Sequence, residues 1–340
     1  MYLKESIKNI KEKINEKLNE LKLIPERSLN SEFILKANHY YVTPCSNRNQ
    51  IKHIFKSSLR DEKQCLFNLA KEIYFHKQLT RYFSKNINFI PRYIASGEEG
   101  KFIWILREYI LGQEMGDLRE INKNLVKKKH ISLILQEIFS SRELSKKFFS
   151  SKNCPVKLSR TTYAYEFYLK EKDKLDYDPF IFKKEIKKYQ TKEIDFKKIL
   201  NFYRKYRKLL AESLTIAVHG DLNPKNLLIT SDDKIYIIDW ERIHWDNLVS
   251  EIDFLWASAW DDRGWQKELL KQYFAKVKNK EKFVILWRLG IIARCWGEAW
   301  CWYYQMKNTT DKKIVSKCKQ AITTNLDYLY QATQGFEFFF

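Results

Sequence analysis

The chain has no long uncharged apolar run. The best candidate, from Trp287 to Tyr304, is interrupted by Arg288, Arg294 and Glu298, and hydropathy therefore supports no membrane span. The first 23 residues mix Lys, Glu and Asn with Ile and Leu and lack the apolar block of a signal peptide, so a cytoplasmic location is expected. No CxxC pair occurs among the six cysteines, and none has zinc-ligand spacing. Reduced thiols are the expectation. Internal repeats and low-complexity linkers are also missing. What is present is a chain of 340 residues, 44% hydrophobic, long enough for a two-lobed enzyme and too apolar for global disorder. The net charge is +20, spread over stretches such as Lys183-Lys184, Lys187-Lys188 and Lys197-Lys198. A solvated basic surface is the preferred reading, an anionic partner the other, and no nucleic-acid partner is expected.

Residues 4–23 have amphipathic helical spacing, with Ile7, Ile10, Ile14, Leu18 and Leu21 near one face. Strands are predicted at 33–35, 40–42 and 50–56. In the last of these, Ile51, His53 and Phe55 alternate against Lys52, Ile54 and Lys56. A helix follows over 61–79, then strands at 92–96 and 102–108 with 97–100 as a hairpin turn. From about 117 to 214 the pattern reads as several helices. Short strands are predicted at 226–229 and 234–238, and helical spacing then runs to about 332. This is an α+β, bilobal plan: an N-terminal helical extension (1–27), a small β-rich lobe (28–111) and a larger helical lobe (112–335).

The densest chemistry lies in His219-Gly220-Asp221-Leu222-Asn223-Pro224-Lys225-Asn226, followed by Ile237-Ile238-Asp239-Trp240-Glu241. Phosphoryl transfer from ATP needs one carboxylate to receive and orient the attacking hydroxyl. It also needs an amide oxygen and a second carboxylate to hold Mg²⁺ against the phosphates. The spacing follows the kinase pattern H-x-D-x-x-x-x-N with an Asp downstream.

With these residues the chain resembles the aminoglycoside phosphotransferase and choline kinase superfamily, most strongly over 217–256 and more weakly over roughly 32–112. The resemblance implies a protein-kinase-like fold, with 28–111 the nucleotide-binding lobe and 112–335 the lobe for catalysis and acceptor binding. It also implies transfer of the γ-phosphoryl of ATP (or GTP), with Mg²⁺, to a hydroxyl of a small molecule. Asp221 would be the catalytic residue, and Asn226 and Asp239 the metal ligands. His219 would hold the loop rather than act as a base, and Asp253 would brace it. Lys56 resembles the strand-three lysine that contacts the α- and β-phosphates, with Glu72 as its ion-pair partner. Lys52 and Glu62 are the competing lysine and acid. The turn at 43–49 has no glycine, and Ser46 and Asn47 are its candidate phosphate contacts. Glu108 and Ile110 look like the hinge whose backbone reads adenine. Glu241 is open between support of the metal shell or an arginine and a surface position.

Two features favour a small-molecule acceptor over a protein. Gly220 replaces the Arg of the protein-kinase H-R-D, and Ile252 follows Asp239 by only thirteen positions, with no Ala-Pro-Glu between. Nine of the ten tryptophans fall between Trp240 and Trp302. Trp260, Asp261, Asp262 and Glu298 are the candidate acceptor residues, since aromatic faces with carboxylates suit a cationic amine of the choline, ethanolamine or aminoglycoside type. Trp296 and Trp300, at i and i+4, equally suit a packed helical core. Arg288 and Arg294 would suit an anionic or sugar acceptor. A sugar or glycan kinase and a non-catalytic nucleotide-binding pseudokinase are the alternatives. Oligomeric state is not legible.

Overall fold

In the computed structural model, which describes residues 2–26, 40–59, 62–82, 89–152, 154–162, 164 and 185–339, strand-period alternation builds a sheet with a helix on each face. The strands are β1 (Ile24–Pro25), β2 (Tyr40–Ser46), β3 (Lys52–Ser58), β4 (Tyr93–Glu99) and β5 (Phe102–Glu108), in the order β1-β2-β3-β5-β4. All the pairings are antiparallel. Successive side chains of a strand point to opposite faces. Phe102, Trp104 and Leu106 therefore join Phe55 and Tyr41 on one face, where Ile10, Ile14 and Leu18 of α1 (Tyr2–Glu20) cover them. Ile103 and Ile105 meet Leu69 and Ile73 of α2 (Lys63–Tyr82) on the other. The same alternation turns Lys56 away from α1 and towards α2. The amphipathic N-terminal helix is thus part of this core, and Lys17 fastens it to Glu99 at 2.7 Å.

In this sheet the structure departs from the sequence expectation in the following places. The hairpin turn is not at 97–100: β4 continues through Glu99 and the chain reverses at Gly100, whose φ is 63°. Gly97 pairs with Trp104, and a Cβ there would lie 2.5 Å from the Trp104 indole nitrogen. This glycine makes room for a ring inside a strand, rather than forming the turn. The strand predicted at 50–56 begins and ends two residues later. The strand predicted at 33–35 lies outside the described residues.

Two compact units divide the chain: Met1–Gln113 with Lys147–Lys157 and Leu228–Ile243, and Glu114–Lys146 with Leu158–Leu227 and His244–Phe340. After β6 (Gly112–Glu114), the ribbon β7 (Gly116–Asp117) and β8 (Glu120–Ile121) occupies part of the region predicted as helix. The helices of the second unit are α3 (Lys129–Phe149), which ends in the first unit, α4 (Phe196–Glu212), α5 (Ile252–Ser258), α6 (Arg263–Lys276), α7 (Lys280–Lys307) and α8 (Lys312–Gln334). Long α7 is buried along most of its length and pairs with α8. Phe336 and Phe339 close over this core, Phe336 against Phe274 and Phe283, and Phe339 against Trp256 and Trp287. β9 (Ile216–Val218) pairs antiparallel with β12 (His244–Asp246), which sets the start of the 219–226 loop. In the first unit, β10 (Leu227–Thr230) pairs with β11 (Ile235–Ile237) and delivers the chain to Asp239. Among the described residues no helix is long and apolar enough to cross a membrane, and all six cysteines are free.

Candidate active site

In the first unit, Lys56 is the centre of a buried ion network. Its side chain is 1% exposed. Its ammonium lies 2.8 Å from Glu72 Oε2 and 2.6 Å from Glu241 Oε2, and it also bonds Asp239 Oδ1. The ring of Tyr40 lies 4.7 Å away. Arg107 Nη1 takes the other oxygen of Glu72 at 2.9 Å. Burial alone disfavours the charged amine. The carboxylates of Asp239, Glu72 and Glu241 more than reverse this, and Lys56 is held well above its ordinary pKa. Burial likewise pushes Glu72 up, but Lys56 and Arg107 prevail and hold it low. Burial raises Glu241 to about 7, against the pull of Lys56. His76, 4.0 Å from Glu72, is lowered to about 4 by burial and is neutral. Lys52, the competing lysine, is half exposed and pairs with Glu26.

Asp239 sits in the left-handed region, with φ 70° and ψ 58°. This conformation is uncommon outside glycine, although Asp tolerates it better than most residues. Its neighbour Trp240 holds it there. The indole donates to the Ile237 carbonyl at 3.0 Å, and the ring packs on Phe75 of α2 at 4.5 Å. One carboxylate oxygen from each of Glu72, Asp239 and Glu241 lies within 4.8 Å of the other two. Hard oxygen donors of this kind suit Mg²⁺.

In the second unit, the 219–226 loop is stitched by its own side chains. Gly220 has φ 83°, a conformation that strains other residues. The Asp221 backbone N–H donates to His219 Nδ1 at 3.2 Å, so His219 faces into the loop. Asn223 Nδ2 donates to Asp221 Oδ1 at 3.2 Å, and its own Oδ1 accepts from Lys225 N–H at 3.0 Å, capping the turn Pro224–Asn226. Asn226 Nδ2 donates to the Asp221 carbonyl at 2.8 Å. That bond spends the amide's donor side on the loop and aims its oxygen elsewhere.

The brace at the start of the loop is Glu251, which the sequence reading did not single out. Its Oε1 accepts the His219 N–H and its Oε2 accepts from Arg142 Nε at 2.8 Å. Arg142 is buried and also donates to Tyr273 Oη at 2.7 Å. Asp253 instead lies 3.6 Å from Arg294, and burial raises its pKa against that arginine. Arg107 as a partner of Glu72, and Glu241 as a partner of Lys56, were likewise not singled out. A charged residue in phase with Ile103 and Ile105 on an apolar strand was the available signal for Arg107.

Asn47 Oδ1 closes the β2–β3 turn, accepting from Asn49 N–H at 3.0 Å and Ile51 N–H at 2.9 Å. Ser46 is paired with Lys52 at the strand end. The Glu108 N–H is taken by the Arg92 carbonyl at 2.9 Å, so any adenine contact from Glu108 falls to its carbonyl. Ile110 lies in the connection between β5 and β6, outside any ladder.

The candidate acceptor residues divide. Trp260 is 3% exposed and packs on Trp302 at 5.9 Å. Trp256 packs on Trp287 at 5.7 Å, and Trp296 on Phe196 at 4.9 Å. These rings form the helical core, the second of the two readings of the sequence. Asp262 caps α6, accepting from Trp265 N–H at 2.9 Å. Glu298 is buried 3.2 Å from Arg119, and burial raises its pKa against Arg294 and Arg119. Arg288 ties α7 to the end of α8 through the Ala332 carbonyl at 2.9 Å. Asp261, paired with Lys123, lines a cavity of about 600 Å³ together with Glu114, Asp117 and Glu120. The ribbon strand β7 at this cavity packs against the Pro224–Asn226 turn.

Residues 150–283 match the APH family, a phosphotransferase enzyme family. That span holds the whole 219–226 loop, Asp239 and Glu251. No curated protein matches the sequence. Among solved structures, the chain is similar to an aminoglycoside phosphotransferase from Alicyclobacillus acidocaldarius. The two are 12% identical, the match covers 92% of this chain and 98% of that one, and the TM-score is 0.52. It is also similar to a choline kinase from Streptococcus pneumoniae, at 14% identity over 94% of this chain and 99% of that one, with a TM-score of 0.51. At these identities the two structures show the shared fold alone, and the family match is confined to residues 150–283. The chain shares the fold of these two kinases.

Proposed function

We propose that the protein transfers the γ-phosphoryl of ATP, with Mg²⁺, to a hydroxyl of a small cationic molecule. The observation that carries the nucleotide reading is the buried bridge from Lys56 to Glu72 and Asp239. A lysine fully desolvated among carboxylates is expensive to build, and it presents a fixed positive charge for phosphate oxygens. Asn226 Oδ1 and Asp239 would hold Mg²⁺. Bound there, the ion would supply positive charge against the negative charge of the phosphates during transfer. Asp221 accepts the hydrogen bond of the attacking hydroxyl and aligns its oxygen. In a loose transition state this positioning counts more than basicity. His219 keeps its place in the loop, with Nδ1 committed to the Asp221 N–H. Asp239→Ala should weaken Mg²⁺-ATP binding at least about tenfold, the scale of a lost charge-assisted contact. Titration calorimetry measures it, and unchanged affinity would count against the metal assignment.

The acceptor class rests on the cavity beside the Pro224–Asn226 turn. Four carboxylates line it, those of Glu114, Asp117, Glu120 and Asp261; Lys123 pairs with Asp261 and Lys317 with Glu120, so Glu114 and Asp117 supply its excess negative charge. Such a surface attracts cations and repels phosphorylated or carboxylated acceptors. Asp117→Asn is expected to raise the KM for a cationic acceptor about tenfold while leaving the KM for ATP unchanged. Turnover of neutral sugars with indifference to this substitution would favour the sugar-kinase alternative.

A further inference from the structure

We infer that Glu241 is a positioning residue for Lys56, holding the ammonium in place for phosphate when Asp239 is engaged by the metal. The inference rests on the nucleotide reading above. A lysine ammonium has three N–H donors. In this structure all three have carboxylate acceptors, one each from Glu72, Asp239 and Glu241. A phosphate oxygen can gain a donor only if one of these bonds is released. Asp239 is the acceptor that the metal would claim. Two anchors then remain, Glu72 from α2 and Glu241 from the turn Trp240–Arg242.

That turn is built to deliver Glu241 accurately. Trp240 is fully buried against Phe75 of α2. One residue past the turn, the Ile243 carbonyl accepts from Lys71 Nζ, also of α2, at 3.1 Å. The element carrying Glu241 is therefore fastened to the helix that carries Glu72, and the two carboxylates hold Lys56 from fixed positions. With Glu241 removed, Lys56 would keep a single carboxylate tether once Asp239 turns to the metal. A flexible four-carbon stem with one tether samples many positions, and the loss should fall on ATP binding.

A double-mutant cycle between Glu241→Gln and Lys56→Met tests this, with ATP kinetics on the best acceptor, calorimetry with Mg²⁺-ATP, and circular dichroism as the check on folding. Glu241→Gln alone is expected to raise the KM for ATP about tenfold with a smaller change in kcat, and Glu241→Asp to recover part of the loss. In the Lys56→Met background, Glu241→Gln should add less than about twofold, because residues that act through one another are not additive. An equal factor in both backgrounds would overturn the inference, as would a fall in kcat with KM unchanged. Absence of Mg²⁺-ATP binding by the unaltered protein would overturn the nucleotide reading and this inference together. Binding accompanied by an additive cycle would overturn this inference alone.

Discussion

Asp221→Asn is expected to lower turnover by about 10³-fold while leaving Mg²⁺-ATP affinity unchanged. The substitution is nearly isosteric. Asn223 Nδ2 now donates to Asp221 Oδ1, and an asparagine at 221 can keep that bond with its amide oxygen. Its NH₂ then occupies the place of the second carboxylate oxygen. A group that accepted the acceptor's hydroxyl proton becomes one that donates, and the hydroxyl is turned away from the phosphorus. The loop's backbone bonds, from Asn226 Nδ2 to the Asp221 carbonyl and from Asp221 N–H to His219, do not involve the altered side chain. The protein should therefore fold and bind nucleotide normally. Turnover measured with ATP and acceptor both saturating checks the first part, and calorimetry the second. A variant with full activity would remove Asp221 from the mechanism.

The second large effect falls on stability. Glu251→Ala is expected to cost about 3–5 kcal/mol, because it strands the buried Arg142 charge and leaves the His219 N–H without its acceptor. Chemical denaturation read by tryptophan fluorescence measures it. Replacing both charged partners, with Arg142→Met and Glu251→Leu, should recover much of that stability, since an apolar pair of similar volume has no ion to desolvate. It should not recover activity, because the His219 N–H still lacks an acceptor and the loop loses its fixed start. A double variant that regained both would show that Glu251 holds the fold alone and not the loop.

These two sites differ in how far the sequence foretold them. Asp221, Asn226 and Asp239 lie in two short segments whose spacing is itself the chemical signal. Lys56 and Glu72 could be reached through local periodicity, since strand alternation turns Lys56 to the α2 face and the helix presents Glu72 there. Glu251 could not. Its partners are Arg142, 109 positions earlier, and a backbone N–H 32 positions earlier, and no local pattern ties them. The Asp253 reading came from resemblance, and the structure places that residue against Arg294 instead. Glu241 was ambiguous for a related reason: two residues from a metal-ligand candidate, a carboxylate can face water or the site, and only the packing of Trp240 on Phe75 decides which. The tryptophans carried two meanings, polar cage or core, and Trp256, Trp260 and Trp296 are buried in the core. The turn at 97–100 was misplaced because glycine signals both a turn and a space for a neighbouring ring. In β4 the Trp104 indole makes it the second.

The most direct test of the central claim is ATP consumption with Mg²⁺ across a panel of choline, ethanolamine, aminoglycosides, amino alcohols and neutral sugars, run in parallel on the Asp221→Asn variant. The expected result is acceptor-dependent turnover with one or more cationic alcohols, lost in the variant. Tight Mg²⁺-ATP binding without turnover of any acceptor, or turnover that survives Asp221→Asn, would contradict it.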